Sequence, residues 1–133
     1  MSLQVNAQVT PIEETFESNN LNVFYDCESC DVTFMKQNLN HVEFVRDQNF
    51  SDVHVLISSQ TNGSGGESIT LRFIGQHEFI KLTDTLNYST NPNMTDDDKR
   101  RQQLRYIEFG LIIFFIEKGL EDKIELTIKK SEI

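Results

Sequence analysis

The stretch "SDVHVLISSQTNGSGGESITLRFIG" limits what this chain can fold into more than any other. Two runs of alternating apolar and polar residues flank a loop rich in Gly, Asn and Ser. In the first run Val53, Val55 and Ile57 fall on one side, with His54, Leu56 and Ser58 on the other. In the second, Ile69, Leu71 and Phe73 share a face. A period of two is the mark of a strand with one buried face. A glycine-rich connection between two such runs predicts an antiparallel hairpin. Residues 79–89, "FIKLTDTLNYS", carry the pattern on through Ile80, Leu82, Leu86 and Tyr88, with Asp84 interrupting that face. Three successive strands of this kind predict a meander.

Helical spacing flanks the meander on both sides. "LNVFY" (21–25) reads as a short buried strand. Val32, Met35, Leu39 and Val42 then recur at helical intervals, and Asp31 is placed to cap a helix over 31–40. "HVEFVRD" (41–47) alternates again as a strand. The best-defined element is a helix over 96–118. Thr95 and Asp98 have capping-box spacing, Asp96 and Asp97 suit the positive end of the helix dipole, and Gly119 supplies a left-handed stop. Leu104, Ile107, Glu108, Leu111 and Phe115 fall on one line of it. "DKIELTIKK" alternates through Ile124, Leu126 and Ile128 and predicts a closing strand. The pattern specifies an α+β fold: a mixed, mainly antiparallel sheet of about five strands with two helices packed on it. Residues 1–20 form a polar arm, and 21–133 form a single domain.

At 133 residues the chain buries enough surface to fold without a metal or disulfide. Its formal net charge of −9 argues against nucleic acid as a partner, because phosphate backbones need clustered Lys and Arg. The longest apolar run, Phe109 to Ile116, is far short of the roughly 20 residues a membrane-spanning helix needs. "MSL" reads as a vector-derived start, followed by Val5 and Ala7 in the −3/−1 pattern of a signal peptidase site, with cleavage before Gln8. This predicts an exported, periplasmic protein. The closing strand lacks a strong terminator, which predicts a longer natural polypeptide with a downstream domain.

Four features bear on chemistry. Cys27 and Cys30, the only cysteines, sit between a strand and a helix, the local order of a thioredoxin-like redox motif. Asp26, Glu28 and Asp31 surround them with negative charge, which disfavours a thiolate. Neither Pro11 nor Pro92 stands where such a fold keeps its substrate-binding proline. A local disulfide between Cys27 and Cys30 is the expected role, and a thiol-disulfide redox module is the least favoured reading. His41, His54 and His77 lack zinc-site spacing with the cysteines, so neither a metal nor a cofactor is expected. The 61–67 loop lacks the Lys and the helix of a phosphate loop. It reads as a flexible hairpin tip, and Asn62, Ser64, Gly65 and Gly66 are its candidates for binding a small ligand or glycan. Finally, Leu111, Ile112, Ile113, Phe114, Phe115 and Ile116 make the second half of the long helix apolar nearly all round. A surface helix keeps a polar face, so these six are candidates for contact with a partner.

The motifs Asp26-Cys27-x-x-Cys30-Asp31, Val45-Arg46-Asp47, Asp52-Val53-His54-Val55-Leu56, Phe73-Ile74-Gly75-Gln76 and Asp84-Thr85-Leu86-x-Tyr88 carry a resemblance. Over residues 22–118 the chain resembles the N-terminal domain of an uncharacterised family of exported Bacteroidetes-type proteins. At the level of fold it also resembles the N-terminal domain of TolB-like periplasmic proteins. The resemblance implies a domain that docks on other envelope components, ahead of a larger C-terminal β-rich region. The expected function is a non-enzymatic, exported protein-interaction domain, whose partner is an envelope protein or its own downstream domain.

Overall fold

The computed structural model describes residues 19–131. The expected signal remnant and most of the expected arm lie outside them. Five strands form one mixed sheet: β1 (Leu21–Asp26), β2 (Val42–Phe44), β3 (Val53–Thr61), β4 (Glu67–Gly75) and β5 (Thr83–Ser89), in the spatial order β2-β1-β3-β4-β5. Two helices, α1 (Val32–Asn38) and α2 (Asp96–Glu117), complete an α+β fold. β1 runs parallel to both of its neighbours, while β3, β4 and β5 form the antiparallel meander.

The period-two pattern sets the core. Val53, Val55 and Ile57 of β3 are buried with Ile69, Leu71 and Phe73 of β4 and with Leu21 and Val23 of β1. The helices cover this face. α1 begins at Asp31, whose side chain accepts from the Phe34 N–H at 3.0 Å, and it buries Phe34 and Met35. α2 begins with a reciprocal capping box between Thr95 and Asp98. It ends before Gly119 (φ +83°) in a Schellman turn, with Leu120 N–H bonded to Phe115 C=O and Gly119 N–H to Ile116 C=O.

α2 meets the sheet at Gly110. A Cβ there would overlap the ring of Phe73, which is fully buried. The residues turned inward are therefore Ile107, Gly110, Leu111 and Phe114. Glu108 is exposed, and Phe115 lies at the flank.

A second fastening lies at the C-terminal end of the helix. Lys118 Nζ donates to Asp52 Oδ2 at 2.7 Å and to Asn20 C=O at 2.8 Å. Asp52 Oδ2 also accepts from the Asn22 N–H at 2.8 Å. This ion pair is largely shielded from water and ties the start of β1 to the end of α2.

Three expected elements differ. Residues 77–79 form a short 3-10 turn instead of the start of β5, and this leaves Ile80 exposed. The strand over 41–47 is cut to Val42–Phe44, which pairs with Leu21 to Val23 of β1. The strand through Ile124, Leu126 and Ile128 does not form. Residues 124–131 pair with no described strand, and Leu126 and Ile128 are 62% and 86% exposed. Alternation alone does not make a strand; a neighbouring strand must also bond it.

Two substitutions test these fastenings. Gly110→Ala should cost about 1–3 kcal/mol, because Phe73 or the helix must shift. Asp52→Ala should cost about 3 kcal/mol, because it leaves Lys118 without a counter-charge. Urea unfolding of both variants checks the values; unchanged midpoints would refute the assignments.

Candidate functional site

A concavity of about 790 Å³ lies where β1 ends. One wall is the turn from Asp26 to Asp31, and the opposite wall is the first turns of α2, with Asp96, Lys99, Arg100 and Gln103. The floor is the covered face of the sheet at Ile57, Ile69 and Tyr88. The cleft exists because β1 stops at Asp26 and its chain rises into α1, while β3 runs on beneath.

Cys27 and Cys30 are disulfide-bonded in this wall, with Cα atoms 5.7 Å apart. They precede the Asp31 cap, and the Asp31 side chain occupies the N–H of Phe34. The helix N-terminus is thus already satisfied by a carboxylate. Arg100 ties the wall to α2: its guanidinium bonds Asp31 at 2.9 Å and Asp97 at 2.8 Å, and lies 4.5 Å from the Phe34 ring centroid. Arg101 adds a second bond to Asp97. The Phe34 N–H, and then the bond from Arg100, hold the Asp31 carboxyl below its usual range. The Arg101 and Arg100 bonds do the same for Asp97.

Deeper in, Tyr25 donates to Gln103 Oε1 at 3.1 Å. Burial raises the Tyr25 phenol well above its ordinary value and pushes Tyr88 up to about 12, against the opposing bond from Gln103. Both tyrosines are therefore neutral hydrogen-bonding groups at physiological pH. Tyr88 also stacks on Tyr106, with ring centroids 4.5 Å apart.

The other sequence candidates are dispersed. In the hairpin loop, Asn62 Oδ1 accepts from the Ser64 N–H, the Ser64 hydroxyl and the Gly66 N–H. Three of the loop's donors thus converge on a single side-chain oxygen. The tip is not slack at Gly66 either: a Cβ there would strike the Thr90 carbonyl oxygen, and Glu67 and Thr90 exchange two bonds. Asn62, Ser64 and Gly66 are thus held in one hydrogen-bonded turn, with Gly65 at positive φ beside them. His54 Nε2 contacts Asp26 Oδ2 at 3.1 Å, and His77 Nε2 contacts Asn49 C=O at 2.6 Å, so each is engaged separately. Among the described residues no group of three or more His, Cys, Asp or Glu is placed to hold a metal ion.

The partner-contact candidates split. Leu111 and Phe114 are buried against the sheet, which corrects their assignment. Ile112 and Phe115 line a smaller groove of about 530 Å³ with Leu39, Val42 and Ile124. Beside it, desolvation raises the Glu108 carboxyl, with Arg105 opposing. Ile113 and Ile116 face outward at 40% and 45% exposure, and Phe109, which the sequence did not single out, joins them at 47%. The spacing of Phe109, Ile113 and Ile116 puts all three on one helix face.

No family model and no curated protein matches this chain. No helix among the described residues is long and apolar enough to cross a membrane. Sequence reasoning missed the Tyr25–Gln103–Tyr88 cluster, because its members come from three separate elements.

The Arg100 clasp has a pH signature. Asp31 and Asp97 titrate lower in the folded than in the unfolded chain. Their contribution is therefore complete above the ordinary aspartate value of about 4 and is lost as pH falls through the lowered values. Arg100→Ala should lower stability at neutral pH, with the gap to the unaltered protein narrowing below about pH 4. Urea unfolding across that range checks this. A constant gap would mean that Arg100 acts only by packing on Phe34.

Proposed function

We propose that the chain is a protein-interaction domain of an exported, periplasmic protein, docking on an envelope protein through the outer face of α2. The observation that carries this reading is that Phe109, Ile113 and Ile116 stand in line on the side of α2 turned away from the sheet. The fold does not need them there, because Ile107, Leu111 and Phe114 already bury the inner line. Exposed aliphatic and aromatic residues grouped on one face mark a contact surface more often than scattered ones do. Tyr106 extends the patch, its ring edge-on to Phe109 with centroids 5.5 Å apart. The Cys27–Cys30 bond suits an oxidising compartment. The family resemblance of the Asp-Cys-x-x-Cys-Asp turn and the strands that follow supports the same reading.

Photo-crosslinking in the native cell tests it. A crosslinking residue at position 113 or 116 should trap one envelope protein, or a downstream part of the same polypeptide. The same residue at Glu43, on the far edge strand, should not. Ile113→Lys should abolish the crosslink formed from position 116 while changing stability by no more than about 0.5 kcal/mol. Equal crosslinking from position 43, or recovery only in the cytoplasmic fraction, would overturn the proposal.

A further inference from the structure

β3 outruns β1. Their parallel pairing ends at Asp26 opposite Leu56, yet β3 continues to Thr61. Beyond Leu56 no described strand lies on that side. The direction of the main-chain groups follows from the hairpin end, where Asn62 N–H donates to Gly66 C=O at 2.9 Å. Even-numbered residues of this stretch therefore face β4. Alternate residues of a strand aim their N–H and C=O to opposite sides. Ser59 and Thr61 thus direct theirs along the line that β1 vacates. An edge of this kind is a template for another strand.

The same edge borders the 790 Å³ cleft, which Leu56 to Ser59 help to line. A strand laid beside Ser59 would send every second side chain toward the covered face of the sheet and into the cleft. The charges there are unbalanced. Arg100 is held by Asp31 and Asp97. Lys99 is the one other basic residue lining the cleft. Glu28, Glu67 and Asp96 line it too, and none is ion-paired with a described residue.

We infer that this edge and cleft form a docking site for an extended basic peptide, which adds as a strand along Ile57–Thr61 and places Lys or Arg side chains among the carboxylates. Main-chain hydrogen bonds supply the affinity, and the alternate side chains supply the selectivity. The disulfide-bonded turn is the fixed wall against which the peptide lies. The site is separate from the outer face of α2, so either proposal can fail alone.

The test uses a short fluorescent peptide in which Lys alternates with Val, titrated into the full chain by anisotropy, with amide exchange followed by NMR. Saturable binding is expected, with added protection at the Ser59 and Thr61 amides. Ser59→Pro removes one N–H on the open side, where proline is tolerated, and should weaken binding about tenfold. Glu67→Gln should also weaken it. If Ser59→Pro does not fold, a peptide N-methylated at alternate residues decides the matter on the unaltered protein, and it should bind about tenfold more weakly. Several results would overturn the inference: no saturable binding, equal binding by folded Ser59→Pro, or equal binding by the N-methylated peptide, which would show charge attraction alone. Equal binding of a peptide with Glu in place of Lys would overturn the basic specificity.

Discussion

The contact between Gly110 and the ring of Phe73 governs the rest of the structure. Only a residue without a side chain lets the backbone of α2 come this close to β4. That approach sets the rotation of the helix. Ile107, Leu111 and Phe114 turn into the core, and Phe109, Ile113 and Ile116 turn out. The first turns of the same helix then pass over the end of the sheet, where they roof the cleft and bring Arg100 to Asp31. One steric constraint thus decides both the outward apolar face and the concavity.

Charge acts differently at the two ends of α2. At the C-terminal end, the Lys118–Asp52 pair is mostly shielded, and Asp52 also accepts from the Asn22 N–H of β1. Shielded pairs of this kind matter most when broken, because the surviving charge is left without compensation. At the N-terminal end, Arg100 and Asp97 are exposed to solvent. Their value is geometric, since they hold the disulfide-bonded turn against the helix and so keep the cleft wall in place. The cleft combines Tyr88, the Gln103 amide, several carboxylates and a stretch of strand without a described neighbour.

Much of the fold was legible because its signals are local. The hairpin, the Thr95–Asp98 box, the Asp31 cap and the Gly119 stop each depend on residues within a few positions of one another. The α+β class followed from their order. The misread elements share a cause. Ile80 and Ile124–Ile128 have strand-like alternation, but whether a strand forms depends on a free edge at the right place, which no local pattern records. The line of Leu104, Ile107, Glu108, Leu111 and Phe115 was placed slightly off the true inner face, because the role of Gly110 is invisible without Phe73 opposite it. The hairpin glycines looked like slack for the same reason: Thr90 lies 24 residues away from Gly66 in sequence and in contact with it in space.

By itself, then, the sequence determined the local elements, their caps and the class of fold, since hydrogen-bond periodicity and side-chain size act over short distances. It also marked Cys27–Cys30 as a turn with acidic flanks and the 111–116 stretch as too apolar for an ordinary surface helix. Only the tertiary structure decided which residues of that stretch face outward, that β1 ends short of β3, and that Tyr25, Gln103 and Tyr88 converge. Those facts depend on how far each strand runs and how closely the helix can approach, which are set by packing between residues distant in the chain.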